Sequence, residues 1–304
     1  MNKNIKTKKC LVTGGAGFIG SHVVEQLLDL NHQVVVVDNE SSDANEVFHW
    51  RNDTENYKVD VCDFEHFSPL CKDVDVIFHL AAEARIQPTL KDPILATKTN
   101  VVGTCSVLQA ARENNVKRVV YSSTSSAYGL KNKCPLQEDM PKDCLNPYSV
   151  TKTAGEELCK MYTELFGLET VSFRYFNVYG ERQPLKGQYA PVIGIFLRQK
   201  NAGEPMTIVG DGTQRRDFTY VGDIAKANIL ASDLDNKNVV GELINLGTGF
   251  NHSVLEIKDL IRGEYIHIES RLGEAKESLA DNSKAKSLLK WEPTQKLEDW
   301  IRNQ

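Results

Sequence analysis

A glycine-rich segment near the start of the chain restricts the possible folds more than any other feature. Residues 13–20 read TGGAGFIG, and they separate a predicted strand over 9–13 from a predicted helix over 18–30. Because Gly14, Gly17 and Gly20 lack a Cβ atom, the backbone can turn tightly and approach a pyrophosphate at the positive end of the helix. A strand–helix turn without a ligand has the same pattern, so the segment by itself predicts only a βα unit.

The rest of the first half continues this alternation of strands and helices. Strands are predicted over 33–38, 75–80, 117–122 and 169–174, and helices over 96–114 and 148–166. The run QVVVVD at 33–38 is apolar almost throughout, as expected of a strand that is buried on both faces. The alternation predicts an α/β fold, a Rossmann-like doubly wound parallel sheet with helices on both faces.

The regular alternation of predicted strands and helices ends near residue 177. A loop is predicted over 179–188, followed by a helix over 192–201, a turn over 210–212, a helix over 222–232 and a strand over 243–246. We therefore predict a nucleotide-binding Rossmann domain over 1–176, with 222–250 returning to it. A smaller α/β substrate-binding domain is predicted from 177–221 and 251–304, and such a domain usually closes a cleft over the carboxyl ends of parallel strands.

Charge and composition exclude several classes of protein. The 304 residues carry 36 Lys+Arg against 41 Asp+Glu, and this net charge of −5 argues against nucleic acid as the main partner. No apolar run approaches the roughly 18 residues needed to cross a bilayer. The apolar run after the basic start is too short for a signal peptide, so we expect a cytoplasmic protein that does not enter the membrane. The seven cysteines include no C-x-x-C pair and the histidines no H-E-x-x-H motif, so no metal site is expected.

An acidic residue at the end of the second strand is a further sign of a dinucleotide site. Asp38 lies about 20 residues past the glycines, where a carboxylate accepts hydrogen bonds from a ribose hydroxyl. A carboxylate there would repel a 2′-phosphate, so Asp38 favours NAD over NADP. Asp60 and Val61, which follow a short strand, are candidates for the adenine edge, although a solvated acidic loop has the same appearance.

A tyrosine and a lysine four residues apart form the candidate catalytic pair. Tyr148 and Lys152 lie near the start of a predicted helix, so both side chains lie on one face of it. A free tyrosine has a pKa near ~10. An adjacent ammonium group and a positive nicotinamide ring would lower that pKa and favour the phenolate, which is a general base. The strand that ends in YSST at 121–124 carries hydroxyl groups to the same cleft.

The order of these motifs resembles that of the extended short-chain dehydrogenase/reductases, the family of nucleotide-sugar epimerases and dehydratases. The matching motifs cover nearly the whole chain and follow in family order: TGGAGFIG, DVCD, HLAA, NVVGT, SSTSSAYG, YSVTK, RYFNVYG and RRDF. Within the family the chain is most similar to UDP-hexose 4-epimerases. The resemblance implies that NAD is held tightly and recycled through a transient 4-keto sugar, with no net redox change.

The resemblance also implies which residues meet the cofactor. Tyr148 would act as the base, Lys152 would hold the nicotinamide ribose, and Thr124 would bond the sugar 4-oxygen. The other residues implied to line the cofactor are Gly14, Gly17, Phe18, Ile19, Gly20, Asp38, Asn39, Asp60, Val61, Leu80, Ala81, Ala82, Asn100, Ser122, Tyr175 and Phe176.

On the substrate side, the resemblance implies a grip on the diphosphate and an enclosure for the uridine. Arg216 and Arg271 match positions that hold the diphosphate, a role that suits the planar guanidinium. Glu274 matches the acid that meets the uridine ribose. The other positions implied to enclose the uracil or reach the sugar and diphosphate are Arg85, Ser126, Asn177, Val192, Val209 and Ser278.

The residues after Thr124 distinguish between the reactions of the family. Dehydratases carry an Asp-Glu pair there and UDP-glucuronate decarboxylases place a Glu close by, whereas this chain has SSA at 125–127. Elimination needs such extra acid–base groups, so the sequence favours simple 4-epimerisation of a UDP-hexose. A nucleotide-sugar decarboxylase or dehydratase and a non-catalytic NAD-binding scaffold are the alternatives.

Two positions bear on the choice of sugar. Ser278 stands where the family has a bulky Tyr in enzymes limited to plain hexoses. The small residue predicts that UDP-N-acetylglucosamine and UDP-N-acetylgalactosamine are accepted, alongside UDP-glucose and UDP-galactose. Arg85 could pair with a uronate carboxylate, which keeps 4-epimerisation of UDP-glucuronate open.

The family often dimerises through two helices, which match 96–114 and 148–166 here, so a homodimer is expected. The chain also departs from the family pattern: the stretch between Ser253 and Arg271 and the segment after 291–293 (WEP) both look shortened. Both changes fall in the predicted substrate-binding domain and leave the catalytic motifs intact.

Overall fold

A seven-stranded parallel sheet forms the centre of the computed structural model, which describes residues 7–185, 191–269 and 275–304. The strands in chain order are β1 (Lys9–Thr13), β2 (Gln33–Val37), β3 (Glu55–Tyr57), β4 (Val76–His79), β5 (Arg118–Thr124), β6 (Glu169–Tyr175), β7 (Val178–Tyr179), β8 (Met206–Val209), β9 (Arg215–Asp217), β10 (Thr219–Tyr220), β11 (Leu243–Leu246), β12 (Asn251–Ser253) and β13 (Tyr265–Ile268). The sheet has the order β11-β6-β5-β4-β1-β2-β3. All its neighbouring strands are parallel.

Helices connect most of these strands. In chain order they are α1 (Phe18–Asp29), α2 (Phe64–Phe67), α3 (Ile86–Lys91), α4 (Pro93–Thr97), α5 (Gly103–Glu113), α6 (Pro147–Phe166), α7 (Val192–Asn201), α8 (Val221–Ala231), α9 (Val254–Ile261), α10 (Ser283–Leu289) and α11 (Leu297–Arg302). The predicted doubly wound α/β fold is confirmed. None of the helices in the described ranges combines the length and the hydropathy that crossing a bilayer requires.

The sheet is buried on both faces, which explains its uninterrupted apolar strands. Side chains alternate between the two faces of a strand, so β1 contributes Cys10 and Val12 to one core and Leu11 to the other. The first core is covered by α1, α8 and α10, and the second by α5 and α6. The side chains on both faces of the sheet therefore pack in hydrophobic layers, as the β-branched sequences of the strands predict.

The strand order reverses between β1 and β4. From β1 the chain runs outward through β2 and β3, and β4, β5, β6 and β11 extend the sheet on the other side. In the register of β1 and β4, Thr13 is the partner of His79 at the carboxyl ends of both strands. In doubly wound sheets, ligands bind at such a reversal, outside the carboxyl ends of the strands.

A third core lies apart from the sheet. It is formed by α7, α9 and α11 with β8, and includes Phe196, Ile257 and Trp300. The segment after residue 280 contacts two cores, because α10 and Trp291 pack in the first core whereas α11 packs in the third. The Trp291 indole N–H donates to Asp223 O at 2.8 Å, which fixes this segment to α8. The division into two domains remains a prediction.

The predicted helix over 96–114 is interrupted in the structure. Helix α4 begins earlier, at Pro93, because Asp92 caps it by accepting a hydrogen bond from Leu95 N at 2.9 Å. A π-helical turn over Lys98–Val102 then precedes α5. A π turn inserts one extra residue into a helix and is frequent at functional sites. Here it contains Asn100, a residue implied to line the cofactor.

Candidate active site

The glycine-rich loop turns sharply from β1 into α1. Gly14 has a φ of +67°, and its N–H donates to Val37 O at 2.8 Å. A Cβ atom on Gly20 would lie 2.1 Å from Gly14 O, so only glycine lets α1 pack this closely on the loop. Helix α1 has no side-chain cap at Gly17 and no acidic residue in its first turn. Its first N–H groups thus fit an anionic pyrophosphate, the role implied for Phe18 and Ile19.

The residues predicted for the adenosine lie together after β2. Asp38 is buried, and its carboxylate accepts a hydrogen bond from Ala16 N in the glycine-rich loop at 3.2 Å. Burial raises the pKa of Asp38, and hydrogen bonds from backbone N–H groups lower it. Asn39 Nδ2 donates to Asp60 Oδ2 at 3.4 Å, and the next residue, Val61, is buried. A carboxylate stands at the end of β2, where a ribose hydroxyl of NAD would be held.

Leu80 and Ala81, implied to line the cofactor channel, are positioned by a threonine that the motifs did not single out. The Thr13 hydroxyl accepts hydrogen bonds from the N–H groups of Leu80 and Ala81, each at 3.2 Å, and contacts His79 Nδ1 at 2.8 Å. Ala82 follows and is partly exposed. Because Thr13 ends β1 and His79 ends β4, these contacts join the two strands between which the order reverses.

The tautomer of His79 follows from its neighbours. The Thr104 hydroxyl donates to Asn100 O at 2.6 Å, so His79 Nε2 must donate to Thr104 Oγ1 at 3.0 Å. His79 Nδ1 then accepts the proton of the Thr13 hydroxyl. Burial lowers the pKa of His79 to about 3, so the imidazole is neutral and connects Thr13 to Thr104 through its two hydrogen bonds. The only sequence sign of this chain of hydrogen bonds is the position of His79 at the start of HLAA.

Asn100 ties the loop after β4 to α6. Its Oδ1 accepts from Glu83 N at 2.8 Å, and its Nδ2 donates to Glu83 O at 3.0 Å. The same Nδ2 group donates to Thr151 Oγ1 at 3.0 Å. Asn100 is almost wholly buried, so these contacts fix the loop rather than leave the amide free for a ligand. The direct cofactor contact implied for Asn100 remains a prediction.

Tyr148 and Lys152 lie one turn apart at the start of α6. This start is fixed by a capping box, in which Asn146 Oδ1 accepts from Ser149 N at 2.9 Å. Burial raises the pKa of Tyr148, whereas a hydrogen bond with Thr124 at the end of β5 lowers it. The structure thus brings together the three residues that the sequence predicts as the catalytic set.

Lys152 is buried against the aromatic face of β5. Its Nζ lies 4.5 Å from the centre of the Tyr121 ring, a cation–π contact. Burial lowers the pKa of Lys152 to about 7, and the negative charge of Glu156 opposes that effect. Burial therefore works against the charged form of Lys152.

A buried ion pair, which the sequence motifs do not indicate, supports the catalytic turn of α6. Glu156 lies one turn after Lys152 and accepts hydrogen bonds from Arg174 Nε and Nη2, both at 2.9 Å. Ser123 Oγ also donates to Glu156, at 2.6 Å. The Arg174 guanidinium lies 4.5 Å from the centre of the Tyr128 ring. These contacts hold α6 to β5 and β6 at the level of the lysine.

Tyr175 and Phe176, implied to flank the nicotinamide, have different surroundings. Tyr175 OH contacts Ser122 Oγ at 2.9 Å and accepts from Asn228 Nδ2 at 2.8 Å, while burial raises the pKa of Tyr175 to about 12. Phe176 is wholly buried and packs in a small cluster that includes Tyr128. The structure gives the Phe176 side chain a packing role, and the cofactor contacts of both aromatic residues remain predictions.

Arg85, a candidate substrate residue, has an unusual backbone and an unusual environment. Its φ is +79°, a region that non-glycine residues adopt at a cost on the order of 1–3 kcal/mol. Within the described ranges, the buried Nη1 atom of Arg85 has no hydrogen-bond partner. Burial lowers the pKa of Arg85 to about 10, so the group stays cationic at neutral pH, and the charge of Tyr148 opposes the shift.

Two of the predicted substrate residues meet across distant parts of the chain. Asn177 Nδ2 donates to Asp217 O at 3.0 Å and to Ser278 Oγ at 3.3 Å. Asp217 is itself buried, and its carboxylate accepts from Thr248 N at 2.8 Å and from Ala280 N at 3.1 Å. Asp217 thereby joins three segments and sets the position of Ser278.

The structure describes some of the other residues that are predicted to contact the substrate. Arg216 lies on β9, and its Nη1 donates to Arg215 O at 2.9 Å. Ser126 N donates to Thr124 Oγ1 at 3.1 Å. Val192 lies at the start of α7 and Val209 at the end of β8, and both are partly exposed. Arg271 and Glu274 lie outside the described residues.

Comparisons with known proteins show the family of this chain. The NAD dependent epimerase/dehydratase family matches residues 10–247. The UDP-glucose 4-epimerase of Mycolicibacterium smegmatis is 36% identical, with 96% of each chain covered. The UDP-glucuronate 4-epimerase of Thermodesulfobacterium geofontis is also 36% identical, over 96% of this chain and 93% of that protein. The solved structure of UDP-N-acetylglucosamine 4-epimerase from Methanobrevibacter ruminantium M1, in complex with UDP-N-acetylmuramic acid, superimposes with a TM-score of 0.90 at 34% identity, covering 98% of this chain and 97% of the other.

Proposed function

This chain belongs to the NAD-dependent epimerase/dehydratase family, and on that premise we propose that it inverts the C4 centre of a UDP-hexose. The observation that carries the proposal is the contact of Tyr148 with Thr124, at the carboxyl end of β5 and beside the point where the strand order reverses. A hydroxyl donor and a phenol that can ionise are the two groups needed at a sugar 4-oxygen.

The chain's own residues supply the proton chemistry. Bound NAD would supply the hydride chemistry, and the glycine-rich loop and Asp38 would hold it. The Tyr148 phenolate takes the proton of the 4-hydroxyl group, and Thr124 donates a hydrogen bond to the same oxygen. Tyr148 returns the proton when the 4-keto sugar is reduced on its other face. Lys152 and Thr124 are almost wholly buried, whereas Tyr148 is partly exposed.

The residues after Thr124 favour epimerisation over elimination or decarboxylation. Residues 125–128 form a 3-10 turn whose first three members are Ser, Ser and Ala, so no carboxylate stands next to Thr124 in the chain. Loss of water or carbon dioxide needs further acid–base groups at this place. Tyr148 and Lys152 are both present, which argues against a non-catalytic scaffold.

A panel of UDP-sugars tests the proposal directly. The purified protein is incubated with UDP-glucose, UDP-N-acetylglucosamine and UDP-glucuronate in turn, and the products are resolved by NMR. We expect a mixture of C4 epimers of unchanged mass from at least one of them. Products that have lost water or carbon dioxide, or no conversion of any sugar, would contradict the proposal.

We further propose that the site accepts an N-acetylated sugar, because Ser278 is small. The change Ser278→Tyr adds a ring beside Asn177, so we expect kcat/KM for UDP-N-acetylglucosamine to fall roughly 10- to 100-fold, as overpacking of a pocket predicts. The value for UDP-glucose should change much less. The variant Ser278→Ala keeps the space and serves as the control. Equal losses for both sugars would contradict a role for Ser278 in size selection.

The protein is proposed to be a homodimer in which α4, α5 and α6 form the interface. Exposed apolar side chains lie on these helices, including Ile94, which is 82% exposed, and Val150, which is 53% exposed. We expect the double change Ile94→Glu/Val150→Glu to weaken the dimer at least ~10-fold, measured by analytical ultracentrifugation. Phe250→Glu alters an equally exposed apolar residue elsewhere and is the control. A monomeric starting protein, or a control as disruptive as the double change, would refute this interface.

A further inference from the structure

Arg85 combines two unfavourable features at one position. Its backbone has a φ of +79°, in a region that suits glycine, although the residue immediately precedes α3 and carries a long charged side chain. The residue is partly exposed, but the Nη1 atom of its guanidinium is buried, and no described residue accepts a hydrogen bond from that atom. Burying an unpaired charge is costly, so an arginine here is expected to have an anionic partner in some state of the site.

The residue of the catalytic set with which Arg85 interacts is Tyr148. Helix α3 packs against α6, and the two side chains act on each other electrostatically: the positive charge of Arg85 lowers the pKa of Tyr148. Tyr148 is neutral as a phenol and becomes an anion only on ionisation. The partner that Arg85 lacks therefore appears when Tyr148 becomes a base.

The other titratable groups around Tyr148 cannot replace this charge. Tyr121 on β5 and Tyr175 on β6 both interact electrostatically with Tyr148, and burial raises the pKa of each phenol, so they remain neutral. Lys152 lies one turn further along α6, and burial lowers its pKa to about 7. The guanidinium of Arg85 keeps its charge through the whole neutral range.

We propose that the Arg85 guanidinium stabilises the phenolate of Tyr148 and so forms the general base together with it. On ionisation the phenol releases its proton to water, and the phenolate and the guanidinium then form a charge pair. The use of this phenolate in turnover rests on the proposed function, but its formation needs no substrate. Arg85 is in this sense a further residue of the catalytic machinery, in addition to Lys152.

The test follows the ionisation of Tyr148 in the NAD-bound protein by its near-ultraviolet tyrosinate absorbance. The Tyr148→Phe protein, titrated in parallel, isolates the contribution of Tyr148. For Arg85→Gln we expect the ionisation constant of Tyr148 to fall about tenfold, so that the phenolate appears about one pH unit higher. For Arg85→Lys we expect most of the constant to be retained. The acid limb of the pH profile of kcat should move by the same amount.

Arg85→Gly removes the same charge and relieves the strained backbone, so it replaces Arg85→Gln in the titration if that variant folds poorly. Circular dichroism and thermal unfolding establish that each variant is folded. A Tyr148 titration that is unchanged in a folded Arg85→Gln or Arg85→Gly protein overturns the proposal. So does an unchanged titration with a loss of kcat/KM confined to UDP-glucuronate, because Arg85 would then bind a substrate carboxylate. Neither titration depends on which UDP-sugar is turned over, so failure of the proposed function is recognised separately.

Discussion

Replacing Tyr148 by phenylalanine is expected to lower kcat by about 10³-fold, within the range that a single general acid–base group contributes. The change removes one oxygen, the only atom of the side chain that can take the 4-hydroxyl proton. The ring still fills its place between α6 and the end of β5, so the fold and the binding of NAD and UDP should be unchanged. Isothermal titration calorimetry measures the two binding affinities, and NMR measures the turnover.

A matched control separates the role of Tyr148 from a general effect of losing a phenol. Tyr57→Phe removes the hydroxyl of an exposed tyrosine on β3, an edge strand of the sheet that is distant from β6. We expect Tyr57→Phe to keep full activity. Turnover by Tyr148→Phe within about tenfold of the unaltered protein would remove the tyrosine from the proposed mechanism, since such a loss is below that of a general base.

The largest expected change in stability is that of Glu156→Ala. The variant leaves the Arg174 guanidinium buried without its carboxylate, and removing one member of a buried pair costs about 3–5 kcal/mol. Ser123 loses its hydrogen-bond acceptor as well. Urea unfolding measures the free energy of unfolding. We expect activity to fall too, because Glu156 holds the turn of α6 that carries Lys152.

The neighbouring residue offers a control on the same helix. Glu157 is exposed and contacts Lys142, so Glu157→Ala should cost only ~0–1 kcal/mol. The double change Glu156→Ala/Arg174→Met replaces the remaining charge by an apolar side chain and should recover part of the loss. Equal losses for Glu156→Ala and Glu157→Ala would show that the buried pair contributes little to stability.

The elements and residues that the sequence predicts well are those with a local cause. The β-branched runs of β1 and β2 lie between two hydrophobic layers, and the period of their burial follows from the strand itself. The Tyr148–Lys152 pair can be predicted because side chains four residues apart, about one helical turn, lie on the same face of a helix. Asp38 is visible because it ends a strand at a fixed distance from the glycines.

The features that the sequence could not predict depend on partners far away in the chain. Arg174 meets Glu156 only because β6 lies beside β5, and Asn177 meets Ser278 across 101 residues. The π turn around Asn100 interrupts a sequence that is helical by pattern, because its side chain bonds to a loop and to another helix. The positive φ of Arg85 has no sign in the sequence, since arginine is a poor choice for that conformation.

The attachment of residues 283–301 to two separate cores has a consequence for synthesis on the ribosome. Chains are made from the amino-terminal end, and domains generally fold as units as they emerge. All described residues of the proposed catalytic set precede residue 153, yet α10 and Trp291 complete the first core and α11 completes the third. A nascent chain therefore presents the finished glycine-rich loop and Tyr148 while both cores still expose apolar surface. Translation that stops short of residue 283 should yield a protein that chaperones retain, although every catalytic side chain has been made.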